Sequence, residues 1–110
     1  MTVTVTSRHF KAHESLVSFA QSSVRKLEHY YAGILKGEVI LHFEKDRKSV
    51  KFATIKIGVN RTLLTSEGKS EEFEKSIEIA VEKLSVRLKK YKERLRSKNK
   101  SKIREVKQKI

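Results

Sequence analysis

Hydrophobic and polar positions change period several times along this chain, and each change predicts an element. At residues 2–7, "TVTVTS", Val3 and Val5 alternate with threonines, the two-residue period of a half-buried strand. After a short polar link, Leu16, Phe19, Ala20, Val24, Leu27 and Tyr31 recur at three- and four-residue spacing, which predicts one apolar face of a helix over residues 14–31. Glu14 at its start answers the positive end of the helix dipole. Gly33 and Gly37 are expected to bracket the exit, because glycine adopts turn conformations that other residues resist. Alternation then returns. "EVILHFE" (38–44) sets Val39, Leu41 and Phe43 on one side, and "VKFATIKIGV" (50–59) sets Ala53, Ile55, Ile57 and Val59 on one face. The charged "KDRKS" between them reads as a hairpin turn, "NR" as a second tight turn, and "TLLTS" (62–66) as a short last strand. Strands joined by loops this short form an antiparallel meander.

A second helix is announced by Ser70 followed by Glu71, Glu72 and Glu74, a hydroxyl and carboxylates that answer free amides and the dipole. Phe73, Ile77, Ala80, Val81, Leu84, Leu88, Tyr91 and Leu95 carry its apolar stripe, and no Gly or Pro follows Gly68 to stop it. The order is β-α-β-β-β-α. The expected class is α+β, a four-stranded sheet with two helices packed on one face. A chain of 110 residues supports one such domain, assigned to residues 1–96. Beyond Leu95 the next apolar residue is Ile103, so residues 97–110 are expected to form a flexible basic tail with little burial to offset its ordering entropy.

Charge changes the picture from fold to partner. The formal net charge is +13, with 17 basic against 11 acidic side chains over residues 1–91 and 9 against 2 over residues 92–110. A field of this sign draws nucleic acid and weakens with salt. A membrane surface is the poorer match, since the tail offers Leu95, Ile103, Val106 and Ile110 but no aromatic anchor. No stretch is apolar enough to span a bilayer and the first residues lack a signal-peptide core, so a cytoplasmic protein is expected.

Placing residues at 100° intervals around the second helix, Lys83, Arg87, Lys90 and Arg94 fall within roughly 60° of one another, without an acid among them. Glu78, Glu82 and Glu93 lie on the far side with Lys75 and Lys89. A helix needing only solubility would mix signs in i,i+4 pairs. The stripe covers roughly 16 Å, enough to follow several phosphates. Arg25, Lys26 and His29 decorate the exposed side of the first helix and would join the stripe across a groove if the helices lie side by side. Lys45, Arg47 and Lys48 in the hairpin are diluted by Glu44 and Asp46. The candidate RNA-binding set is therefore Arg25, Lys26, His29, Lys83, Arg87, Lys90 and Arg94.

Other chemistry is thin. There is no cysteine, which removes disulfides and thiolate sites. His9, His13, His29 and His42 are scattered, and His9-x3-His13 has only Glu14 nearby, short of a zinc site. No nucleophile–base pair, paired catalytic carboxylates or phosphate-cradling glycine loop is visible, so neither an enzyme nor a cofactor is expected. Tyr30, Tyr31 and Tyr91 fall on or beside the apolar stripes and are expected in the core.

In order and spacing, these pieces resemble the ribosome hibernation promoting factors, the family that includes the ribosome-associated inhibitor. "VTVTSRHFKAHESLVSFAQSSVRKLEHYY" resembles the family's opening strand, link and helix, with its Lys-Leu-Glu at Lys26, Leu27 and Glu28. "FATIKI" resembles the third strand, and "EEFEKSIEIAVEKLSVRLKKYK" the signature of the last helix. Two positions depart: Glu72-Phe73-Glu74 stands where Asp-Met-Tyr is frequent, and Val86-Arg87-Leu88 where Arg-Gln-Leu is frequent. The resemblance implies a protein that is monomeric off the ribosome and binds the small ribosomal subunit between head and body. There it would block messenger and transfer-RNA sites and inhibit translation in idle or stressed cells. Two alternatives are a double-stranded RNA-binding module and a protein-interaction domain. Against the first, the second helix begins "SEEFE", which repels phosphate where that module places lysines. For the second, Ile103, Val106 and Ile110 keep helical spacing.

Overall fold

In the computed structural model, which describes residues 1–44, 46 and 49–108 (side chains as far as residue 96), the elements follow the expected order. They are β1 (Thr2–Ser7), α1 (Glu14–Arg25), a 3-10 turn (Lys26–His29), β2 (Lys36–Phe43), β3 (Lys51–Val59), β4 (Thr62–Ser70) and α2 (Phe73–Gln108). The sheet order is β1-β2-β3-β4. β1 runs parallel to β2 through the α1 crossover, and β2, β3 and β4 form the antiparallel meander. The hairpin lysines and arginine at 45, 47 and 48 lie outside the described residues. So do the side chains of the tail expected from 97 on, although the α2 backbone runs to Gln108.

Cross-strand register puts Val5, Val39, Ile55 and Ser66 in one row on one sheet face. That face meets both helices. Leu16, Ala20, Val24 and Leu27 from the first helical segment join Ile77, Ala80, Leu84 and Leu88 of α2 over Val39, Leu41, Ala53, Ile55 and Ile57 in one continuous core. The period-two and helical patterns thus identified most of this core, but not Ile34, which is also buried in it, and Phe43 and Leu95 are only partly buried. The opposite sheet face is open, yet it has one packed corner. Ile40 is buried there, His42 stacks on Phe52 at 4.7 Å between centroids, and the Lys69 ammonium lies 5.9 Å from the Phe52 ring. Nothing in the structure explains why His42 Nδ1 is buried without a hydrogen-bond partner.

Three expectations are corrected. The first helix stops at Arg25 and tightens into the 3-10 turn, so Lys26 and His29 leave the α-helical spiral. Gly37 makes no turn: it lies inside β2, where an added Cβ would come within 3.0 Å of Val24 Cγ1. And β4 continues four residues past Ser66, to Ser70. Its inward positions there are Ser66 and Gly68, which break the apolar alternation because α2 descends onto them. A Cβ at Gly68 would overlap the Ser76 carbonyl oxygen at 1.9 Å, so only hydrogen fits. Around this contact the Ser66 hydroxyl donates to the Ala80 carbonyl (2.7 Å) and Ser76 to the Lys51 carbonyl (2.8 Å). Ser70 acts from the strand end, its Oγ accepting the Glu72 amide at 3.2 Å.

Replacing Leu84, fully buried, by Ala is expected to cost about 2–5 kcal/mol in a denaturant titration, whereas a change near zero would contradict the core assignment. Gly68→Ala is expected to lower stability by about 1–3 kcal/mol or more, because backbone rather than a pliable side chain stands in the way.

Candidate nucleic-acid interface

All seven sequence-predicted site residues are exposed, but the fold divides them between two flanks of α2. Lys83 leans over β4, its Nζ donating to the Glu67 carbonyl at 2.8 Å. Arg87, Lys90 and Arg94 continue along the same flank, facing Thr62 and Leu64 at the start of β4. The stripe therefore runs beside the sheet's outer edge. Its direction follows from packing: with Leu84 and Leu88 pointed into the core, residues one step behind them on the spiral turn toward β4.

The other flank of α2 faces α1, and its electrostatics are different. Lys26 borders a cleft lined on the α2 side by Glu78, Glu82 and Ser85. Tyr30 closes that cleft and carries the Lys89 ammonium 5.0 Å from its ring centroid, a cation–π contact. Arg25 stands in the last turn of α1 and His29 at the end of the 3-10 turn. A continuous basic groove joining the helix pair is thus absent among the described residues: two carboxylates and the body of α2 separate Lys26 from the stripe. Sequence spacing could not reveal this, because it fixes angles around one helix and not which flank meets the neighbour.

The tyrosines also divide. Tyr31 and Tyr91 pack edge to face at 5.5 Å against the core, as expected, whereas Tyr30 is 40% exposed and serves the lysine contact instead. Partial burial, and then the neighbouring Tyr31 phenol, hold Tyr91 above its ordinary titration range. It stays neutral and donates to the Asn60 carbonyl at 3.5 Å, tying α2 to the β3–β4 turn. Arg61 in that turn adopts φ 58°, the left-handed region that asparagine or glycine would fill more readily.

His13 Nδ1 accepts the Ser15 amide at 3.2 Å and so caps α1. Among the described residues no group of three His, Asp or Glu side chains could hold a metal ion, and no helix is long and apolar enough to cross a membrane. What remains is a convex basic edge on a rigid helix. It borders a groove floored by Leu64, Tyr91 and Leu95, with Glu93 beside the cations, that the sequence pattern did not disclose.

Two solved structures share this architecture. A ribosomal subunit interface protein from Coxiella burnetii superposes with a TM-score of 0.75 at 17% identity, covering 84% of this chain and 98% of its own. The N-terminal domain of Thermus thermophilus Protein Y gives 0.73 at 20% identity, covering 83% and 99%. At such identities the likeness speaks for the fold. No curated protein matches the chain. A family model matches residues 3–96, nearly the whole folded unit. By that match, the chain belongs to the family described as sigma 54 modulation protein / S30EA ribosomal protein.

Proposed function

We propose that this protein is a ribosome hibernation factor: it binds the small ribosomal subunit between head and body, obstructs the messenger and transfer-RNA sites, and inhibits translation in idle or stressed cells. Family membership over residues 3–96 supports ribosome association, as do the names of the two structural neighbours, a subunit interface protein and Protein Y. The observation that carries the reading is the basic edge of Lys83, Arg87, Lys90 and Arg94, where Glu93 is the one carboxylate nearby, because ribosomal RNA presents a phosphate surface that such an edge can follow.

In this reading α2 does the positioning. Its buried face is fixed by Leu84 and Leu88, so the cations stand at set intervals of about one helical turn and contact phosphates by shape and charge rather than by base identity. Lys83 has a double part, since its ammonium already serves the Glu67 carbonyl. Arg25, Lys26 and His29 form a separate, weaker contact, with Lys26 on a cleft that Glu78 and Glu82 also line. Residues 1–96 act as the binding domain. Residues 97–110, with six basic side chains and Glu105, act as a basic arm that adds counterion release without fixing the location of binding. Nothing in this function calls for catalysis or a cofactor, and the protein works as a monomer in the cytoplasm until it meets the subunit.

Reversing Arg87, Lys90 and Arg94 to Glu is expected to abolish co-sedimentation with small subunits in a sucrose gradient while circular dichroism stays unchanged. The same reversal at Lys75 and Lys89 should do much less, and equal loss from both sets would mean that net charge alone governs binding. Deleting residues 97–110 is expected to flatten the salt dependence of ribosome affinity, each lost phosphate contact removing about 0.7–0.9 from the slope of log K against log salt. The truncated protein should still occupy the same site, as read by chemical footprinting of the subunit RNA.

A further inference from the structure

The basic edge borders more than solvent. Between the C-terminal half of the described part of α2 and the start of β4 lies an open groove of ≈ 830 Å³. Leu64, Tyr91 and Leu95 floor it, each only partly buried, and Arg87, Lys90 and Arg94 rim it, with Glu93 as the one carboxylate. Leu64 and Tyr91 pack on the core from beneath and leave part of their apolar surface open to the groove.

We infer that this groove takes one unstacked base of a single-stranded RNA segment, with the flanking phosphates held by Arg87, Lys90 and Arg94. The inference rests on the RNA-binding reading of the edge and adds to it the kind of RNA recognised. Three cations against one acid favour an anionic occupant. The volume lies in the range of small-ligand sites. Arg87 and Arg94 are two turns apart, roughly 10 Å, so they reach phosphates on either side of a single base. An RNA duplex keeps its bases stacked inside and presents none to such a floor. A peptide adding as a strand would need the free edge of β4, where the Lys83 ammonium already takes the Glu67 carbonyl, a lysine-blunted edge.

The test is equilibrium binding of the full chain, across a salt series, to three probes: octauridylate, an abasic ribose-phosphate octamer, and a blunt RNA duplex. Base stacking on the Tyr91 ring predicts about 5- to 150-fold tighter binding of octauridylate than of the abasic strand, at equal salt slope because the phosphates are equal. Leu95→Ser, on the groove floor, should bring the ratio of octauridylate to abasic affinity close to one. Arg87→Gln with Arg94→Gln should lower the slope on both strands by about 1.4, roughly 0.7 for each phosphate. Equal affinity for octauridylate and the abasic strand overturns the inference, and so does a base preference untouched by Leu95→Ser. In either case, charge-dependent binding to the subunit would leave the reading of the edge standing. That reading fails separately if the two arginine substitutions leave the salt slope unaltered. Should Leu95→Ser weaken co-sedimentation with ribosomes but not octauridylate binding, the groove holds a protein segment and the base is excluded.

Discussion

The structure turns on the closeness with which α2 settles onto β4. At Gly68 the helix backbone comes so near the strand that a methyl group would strike the Ser76 carbonyl. Ser66, Ser70, Ser76 and Ala80 line the same seam, and their small size lets hydroxyl-to-carbonyl bonds cross where larger side chains would hold the layers apart. These bonds matter because the seam is buried, and a polar group left unpaired there would cost more than the bond itself returns. Once the helix is seated at this point, Leu84 and Leu88 follow into the core and the rotation of every later residue is set.

That rotation sorts the charges. One flank of α2 sends Lys83, Arg87, Lys90 and Arg94 past the sheet edge, while the other brings Glu78 and Glu82 against Lys26 in the cleft beside α1. Glu78 and Glu82 thus lie toward α1, while the cations line the flank beside β4, with Lys83 on the Glu67 carbonyl and Arg87, Lys90 and Arg94 around a groove that also holds Glu93. A surface built this way is rigid, since its side chains stand on a helix anchored by burial rather than on a loop. Preorganisation of this kind lowers the ordering entropy of binding a polyanion.

The far end of the described fold has its own clasp. Tyr91 packs against Tyr31 and reaches the Asn60 carbonyl, and Lys89 covers Tyr30, so the segment after α1, the β3–β4 turn and α2 meet at one place. The groove rimmed by Arg87 and Arg94 opens beside this clasp, and its floor is fixed by the same contacts that hold the helix down.

Periodicity alone determined the element order, the faces of β3, of α1 up to Arg25 and of α2, the core leucines and the basic stripe, because each depends on angles within one element. It grouped Lys83, Arg87, Lys90 and Arg94 on one flank of α2 for the same reason. What it misplaced are features that depend on contact between elements. β4 appeared to end at Ser66 because Gly68 and Ser70 look like loop residues until a helix is seen resting on them. Gly37 looked like a turn residue until Val24 is seen above it. The groove behind the stripe, and the carboxylates parting it from Lys26, came only from tertiary structure, since a sequence gives the direction of each side chain about its own axis but not which neighbouring element lies in that direction.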